Sequence, residues 1–162
     1  MINTIDKLPN TTKYYQGYYK LQNEQKYIGD VTDIVYRSSW ESKFMEYCDS
    51  NPHVKKWSSR TIKIAYVDNN GHRHTYTPDF YFEIDNTDDA MSPIKYLAEI
   101  TPDVTTKQPV LPNNINEKNL KNLKHQFAKF AKNKCKWTYA REWCNDNDMK
   151  FLIITEKYLN KL

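Results

Sequence analysis

Two short strings carry the chemistry that this sequence suggests. Thr77-Pro78-Asp79-Phe80 places a carboxylate at the end of a strand-like run, and Leu97-Ala98-Glu99-Ile100-Thr101 places a second one inside the next. Acids on neighbouring strands can converge on one oxygen-liganded divalent cation such as Mg²⁺. Such a cation polarises a scissile phosphate and lowers the pKa of a bound water, the two things phosphodiester hydrolysis most needs. Each acid also has a plainer reading. Asp79 follows a proline, and Pro-Asp is ordinary turn chemistry. Glu99 is flanked by Leu97, Ala98 and Ile100, where a buried carboxylate is costly unless it is paired or coordinated. Strand alternation sends residue 101 to the same side as Glu99, so Thr101 is expected to face the metal with it.

Other chemistries find less support. Three glycines in 162 residues, and no GxxxxGK[ST] or GxGxxG string, argue against a phosphate-cradling loop. Cys48, Cys135 and Cys144 are an odd number without a CxxC pair, which fits reduced, buried thiols better than a disulfide framework. His72 and His74 alternate on a hairpin without a Cys or third His nearby, so they read as exposed residues available to DNA rather than as a metal pair. No apolar run approaches the about 18 residues that span a bilayer, and the amino terminus lacks a signal-peptide core. A protein acting where it is made, with no membrane partner, is expected. The net charge of +4 permits nucleic-acid binding, and its distribution says more: seven lysines lie between Lys118 and Lys136, while acids crowd Asp79 to Asp89.

The elements that must position the two acids follow from periodicity. Ser38 or Ser39 is an N-cap candidate, with Trp40, Phe44, Tyr47 and Cys48 at helical spacing up to the stop at Asn51-Pro52. Ile62, Ile64 and Tyr66 alternate, Asn70-Gly71 turns the chain, and His72 to Phe82 alternates again, which predicts a hairpin. A polar loop spans 85–92, a strand 94–100 and a proline-bearing loop 102–116. Leu120, Leu123, Phe127 and Phe130 then predict an amphipathic helix over about 117–132, with Lys118, Lys121, Lys129 and Lys132 on its outer face. That stripe is a solvated helix face by default and a phosphate-binding one beside a nuclease site. A further helix is predicted over about 136–147, and Phe151-Leu-Ile-Ile reads as a strand covered on both faces. Residues 1–30 are polar, Tyr-rich and aperiodic, an extended arm ahead of a single domain over 31–162. Their tyrosine pairs, 14–15 and 18–19, are expected to dock the arm on its own domain or a partner rather than stack on bases.

From Lys26 to Tyr158 the sequence resembles the PD-(D/E)xK nucleases, and within them the TnsA-like branch that includes the head-completion nucleases of contractile-tailed phages. The resemblance runs through Lys26-Tyr-Ile-Gly-Asp30, Tyr36-Arg-Ser-Ser-Trp-Glu41, Pro52 to Trp57, Thr77-Pro-Asp79-Phe, Glu99-Ile-Thr-Pro102, Gln108-Pro109, Lys136-Trp-Thr-Tyr-Ala140 and Met149 to Glu156. A bare PD-plus-E pattern is weak; the ordered set of blocks is stronger. The resemblance implies an α/β, restriction-endonuclease-like core, a mixed β-sheet flanked by helices, that cleaves double-stranded DNA with Mg²⁺ or Mn²⁺. It implies Asp79 and Glu99 as metal ligands with the Ile100 carbonyl as a third, Glu41 as a helical acid at the metal, and Gln108 as a polar site residue. Arg37 and Trp40 are expected to position the first helix. It also implies a place in the host cytoplasm or the virion, and portal or neck proteins as partners of the arm. One position departs from the pattern: where the family has Glu-x-Lys, this chain has Glu99-Ile100-Thr101. A hydroxyl cannot supply the missing charge. Either another lysine reaches in, with Lys107 and Lys63 as candidates, or a second metal takes over, or activity is weak or lost. The rivals are therefore a structural head protein that has lost catalysis and a TnsA-like subunit of a transposition or repair complex.

Overall fold

The computed structural model describes residues 15–89 and 92–162. The first part of the expected arm, Tyr14 included, lies outside the described residues. From Tyr15 onward the arm lies on the domain. Gly17–Tyr18 (β1) pairs antiparallel with Val35–Tyr36 (β2), and Tyr19 and Tyr27 pack edge-on against the fully buried Trp57. The carboxylate of Asp49, itself fully buried, accepts hydrogen bonds from the Tyr19 hydroxyl and the amides of Gln22 and Asn23.

The first helix, Ser39–Ser50 (α1), forms where capping and spacing predict it. Ser38 is extended and its hydroxyl accepts from the Glu41 amide at 3.1 Å. Trp40, Phe44 and Cys48 recur every fourth residue and are buried together with Met45. The next element, Val54–Ser59 (β3), lies outside the predicted elements. A register shift between Val54 and Lys56 lets Val54 and Trp57, three residues apart, both face inward, so the bulge hides the alternation by which a strand is read.

Ile64–Val67 (β4) and Arg73–Tyr76 (β5) form the predicted hairpin, with Gly71 at φ 84° in its turn. The run expected to continue to Phe82 breaks at Pro78, which has no amide to donate, and Phe80–Ile84 (β6) joins another sheet. That sheet is completed by Ile94–Ile100 (β7) and Lys150–Ile154 (β8), in the order β3-β6-β7-β8. The first three strands run antiparallel, each to its neighbour, and β8 runs parallel to β7. β8 is outermost, and Leu152 is 36% exposed. The expectation of a strand covered on both faces is corrected accordingly.

Two predicted helices are one: Glu117–Asp146 (α2) runs unbroken for 30 residues, capped by Asn116. Asn133-Lys134-Cys135, the expected gap, contains no Pro or Gly, and Asn133 is buried within the helix. A short Glu156–Leu159 helix (α3) closes the chain. The architecture is the predicted α/β one, a mixed sheet flanked by helices. On one face, Phe80, Phe82 and Ala98 pack against α1 and Leu159. On the other, Leu97 packs with Trp137 and Ala140 of α2 and with Tyr66 and Tyr76 of the hairpin. No described helix is long and apolar enough to cross a membrane.

Candidate active site

The β6–β7 register pairs Phe80 with Ala98. Continued by one position it sets Asp79 opposite Glu99, at the end of the sheet where α1 begins and α2 passes. The Ile100 amide donates to Asp79 Oδ2 at 2.8 Å, which fixes the carboxylate against β7. Glu41, in the first turn of α1, reaches the same place. Its Oε2 accepts from the Arg37 backbone amide at 3.0 Å.

Two cations that sequence reasoning missed complete the site. Arg60 follows β3 in the left-handed region, φ 56°. Its amide donates to the Asp79 carbonyl at 3.0 Å, and its guanidinium Nη2 lies 2.6 Å from Asp79 Oδ1 and 3.1 Å from Glu41 Oε1. Lys136, on α2, places its ammonium 3.7 Å from Glu99 Oε1 and 4.7 Å from the centre of the Tyr76 ring. The Tyr76 hydroxyl donates to Glu99 Oε2 at 2.8 Å. All six carboxylate oxygens of Glu41, Asp79 and Glu99 therefore have a partner, yet three carboxylates face only two cations.

That charge surplus acts on the carboxyls. Burial, then the charge of Glu99, push Asp79 up to about 7 against the opposing pull of Arg60. Burial raises Glu99 too, opposed by Lys136, Tyr76 and Arg60. Burial and Glu99 together push the Tyr76 phenol well above its usual range. A site with oxygen donors and one negative charge in excess suits a hard divalent cation. It is not a closed cage: among the described residues no three His, Cys, Asp or Glu side chains are grouped to hold a metal, and Glu41 is engaged by Arg60. The Asp79–Glu99 pair, a peptide carbonyl and retained waters match the way Mg²⁺ is usually held.

The other expected residues are placed as follows. The Thr101 hydroxyl shares a hydrogen bond with Thr105 at 2.7 Å and its amide donates to the Ile154 carbonyl. Lys107 is exposed and pairs with Asp103 at 2.6 Å, and Lys63 is exposed on the link before β4; the ammonium beside Glu99 comes from Lys136 instead. Gln108 lines a cleft of about 420 Å³ with Lys107, His125, Lys129 and Phe130. Lys118, Lys121, Lys129 and Lys132 are all exposed on α2. Because α2 is continuous, these lysines and His125 stand in phase with Lys136, each three or four residues from the next. The stripe is about 27 Å long at 1.5 Å per residue, and its last member turns into the site. His72 and His74 both approach Asp68, at 3.6 and 2.8 Å.

The acids give a pH dependence whose sign is opposite to that of an ordinary ion-paired carboxylate. The folded protein holds the Asp79 proton at pH values where the unfolded chain, near 3.8, has lost it. The metal-free fold is thus expected to lose stability as pH rises from about 4 to about 7. A divalent cation bound at Asp79 would compete with that proton, so any rise in thermal midpoint produced by Mg²⁺ should grow between about pH 5.5 and pH 7.5. A midpoint shift that is flat or shrinks over this range contradicts the assignment.

Comparison with known proteins gives the family of the chain. The family described as TnsA-like endonuclease N terminal matches residues 51–156, from the start of β3 through β8. The head completion nuclease of Enterobacteria phage T4 is 32% identical over 149 residues, covering 91% of this chain and 95% of that protein. No solved structure gives a significant match. The match across β3, β6, β7, α2 and β8 covers every strand of the sheet that presents Asp79 and Glu99, and the chain belongs to the TnsA-like endonuclease family.

Proposed function

We propose that this protein is a metal-dependent DNA endonuclease in which Asp79 and Glu99 hold the cation and Lys136 takes the place of the lysine absent at Thr101. The observation that carries the reading is the Lys136 ammonium, 3.7 Å from Glu99, at the inner end of a basic helical stripe. Mg²⁺, or Mn²⁺ in its place, would polarise the phosphate and acidify its water, with the Ile100 carbonyl as a third ligand and Glu41 reached through water. The chain's own groups do the remainder. The Ile100 amide aims Asp79, Tyr76 holds Glu99, and Lys136 stabilises negative charge on the phosphoryl oxygens as a water oxygen bonds to phosphorus and the phosphorus–oxygen ester bond breaks. The proton lost by the water passes to solvent and the departing oxygen takes one up. Lys118, Lys121, Lys129 and Lys132 hold the duplex by its phosphates.

The similarity to a head completion nuclease supports a setting in phage assembly. There the protein acts on DNA at the end of packaging, in the host cytoplasm or on the filled head, with portal or neck proteins meeting the arm at residues 1–30. Thr101 favours a second reading, a structural head protein without catalysis. Purified protein incubated with linear and supercoiled duplex DNA in Mg²⁺ and in Mn²⁺ tests the proposal: cleavage is expected, and none in either metal overturns it in favour of the structural reading or of a TnsA-like subunit that is inert outside its complex. For the stripe, Lys121→Ala with Lys129→Ala should weaken duplex binding and lower the slope of log affinity against log salt by about 2, since each phosphate that a lysine neutralises accounts for about 0.9 of it. An unchanged slope returns these lysines to solvent.

A further inference from the structure

Arg60 carries two costs that packing does not explain. It is a non-glycine residue in the left-handed region, φ 56°, where the Cβ crowds the backbone. Its buried Nε has no hydrogen-bond partner. Both costs serve one arrangement: the guanidinium stands between Asp79 and Glu41, 2.6 and 3.1 Å from their oxygens, while the Arg60 amide grips the carbonyl of Asp79 itself. A guanidinium is always charged. Wherever a divalent cation binds Asp79, it meets this fixed positive charge, and Glu41 is already engaged.

We infer that Arg60 is a built-in counter-ion that holds the Asp79–Glu41 side of the site in the absence of metal and weakens the metal affinity of the Asp79–Glu99 pair. It is a positioning residue rather than a ligand or a proton carrier. In the metal-free protein it neutralises acids whose repulsion would otherwise oppose folding. In the loaded protein it keeps Glu41 out of direct coordination, leaving room at the cation for water and phosphate. The inference rests on the proposed metal site.

The left-handed backbone makes the test practicable. Arg60→Gly and Arg60→Asn remove the charge and place residues that tolerate this φ, so loss of the ion pairs is partly offset by relief of strain. Arg60→Lys keeps a cation. Mn²⁺ binding, read by loss of the free-ion electron paramagnetic resonance signal, should tighten about tenfold in Arg60→Gly and Arg60→Asn and stay near wild type in Arg60→Lys. The metal-induced rise in thermal midpoint should be larger in the two neutral variants than in the wild type. Wild-type protein that takes up no Mn²⁺ overturns the metal site, and this inference with it. Wild-type protein that binds Mn²⁺ while the neutral variants bind it equally or more weakly overturns the role of Arg60 alone.

Discussion

Lys136→Ala is expected to slow DNA cleavage by about 10²- to 10³-fold, the loss that follows removal of one charge-stabilising donor from a preorganised site. The duplex should still bind, because the exposed lysines of the stripe remain, and Mg²⁺ affinity should not fall, because the change removes a positive charge rather than a ligand. Stability should drop by about 1–3 kcal/mol, because the cation–π contact with Tyr76 is lost and Glu99 Oε1 is left without its charged partner. Lys136→Arg keeps the charge but not the compact geometry and should recover part of the rate. The control is Lys129→Ala, two turns earlier on the same stripe and exposed: it should raise KM or the dissociation constant with little change in kcat. If the two alanine variants lose activity by the same route and to the same extent, Lys136 is one more phosphate contact and the site has no substitute for the lysine missing at Thr101.

That lysine is the least legible part of the molecule, and the reason is physical. Its contact to Glu99 joins residues far apart in sequence, and only the phase of an unbroken helix links Lys136 to Lys118, Lys121, Lys129 and Lys132. Reading a helix end at Asn133 discards that phase, although no breaking residue stands there. Lys63 and Lys107 are natural candidates by nearness in sequence to the acids. Lys107 lies in the loop directly after Glu99, but Asp103 is closer and takes its charge. Arg60 is hidden for a related reason. Nothing in Ser59-Arg60-Thr61 signals a left-handed residue, since the conformation is imposed by the reversal after β3 and by its amide bond to Asp79. What can be read are the local features: the Ser38 cap, the α1 spacing, the Asn70-Gly71 turn, and two acids in strings whose alternation places them side by side. β3 fails the same test in the other direction, since its bulge at Val54–Lys56 breaks alternation.

The site is electrostatically unfinished, with the buried carboxylates of Glu41 and Asp79 and the half-buried one of Glu99 against two cations, and such sites trade stability for function. Glu99→Gln tests that trade most directly. The glutamine is nearly isosteric, its carbonyl can face the Lys136 ammonium, and its amide can donate to the Tyr76 hydroxyl, which can accept as well as donate. Lys136 and Tyr76 both keep a partner at residue 99. One surplus negative charge is gone, and with it part of the repulsion that pushes the Asp79 carboxyl up. The metal-free variant should therefore melt no lower than the wild type at neutral pH, and its stability should fall less steeply between about pH 4 and pH 7. Cleavage, by contrast, should fall by about a thousandfold. Losing an anionic ligand forfeits several kcal/mol of metal-borne charge stabilisation, and each 1.4 kcal/mol is about tenfold in rate. The Mg²⁺-induced rise in thermal midpoint should shrink or vanish. A variant that melts several degrees lower and keeps its activity would make Glu99 a structural acid whose place is to anchor Tyr76 and Lys136. A variant that is as stable as the wild type and inactive identifies Glu99 as an acid kept, against the interest of the fold, for the metal.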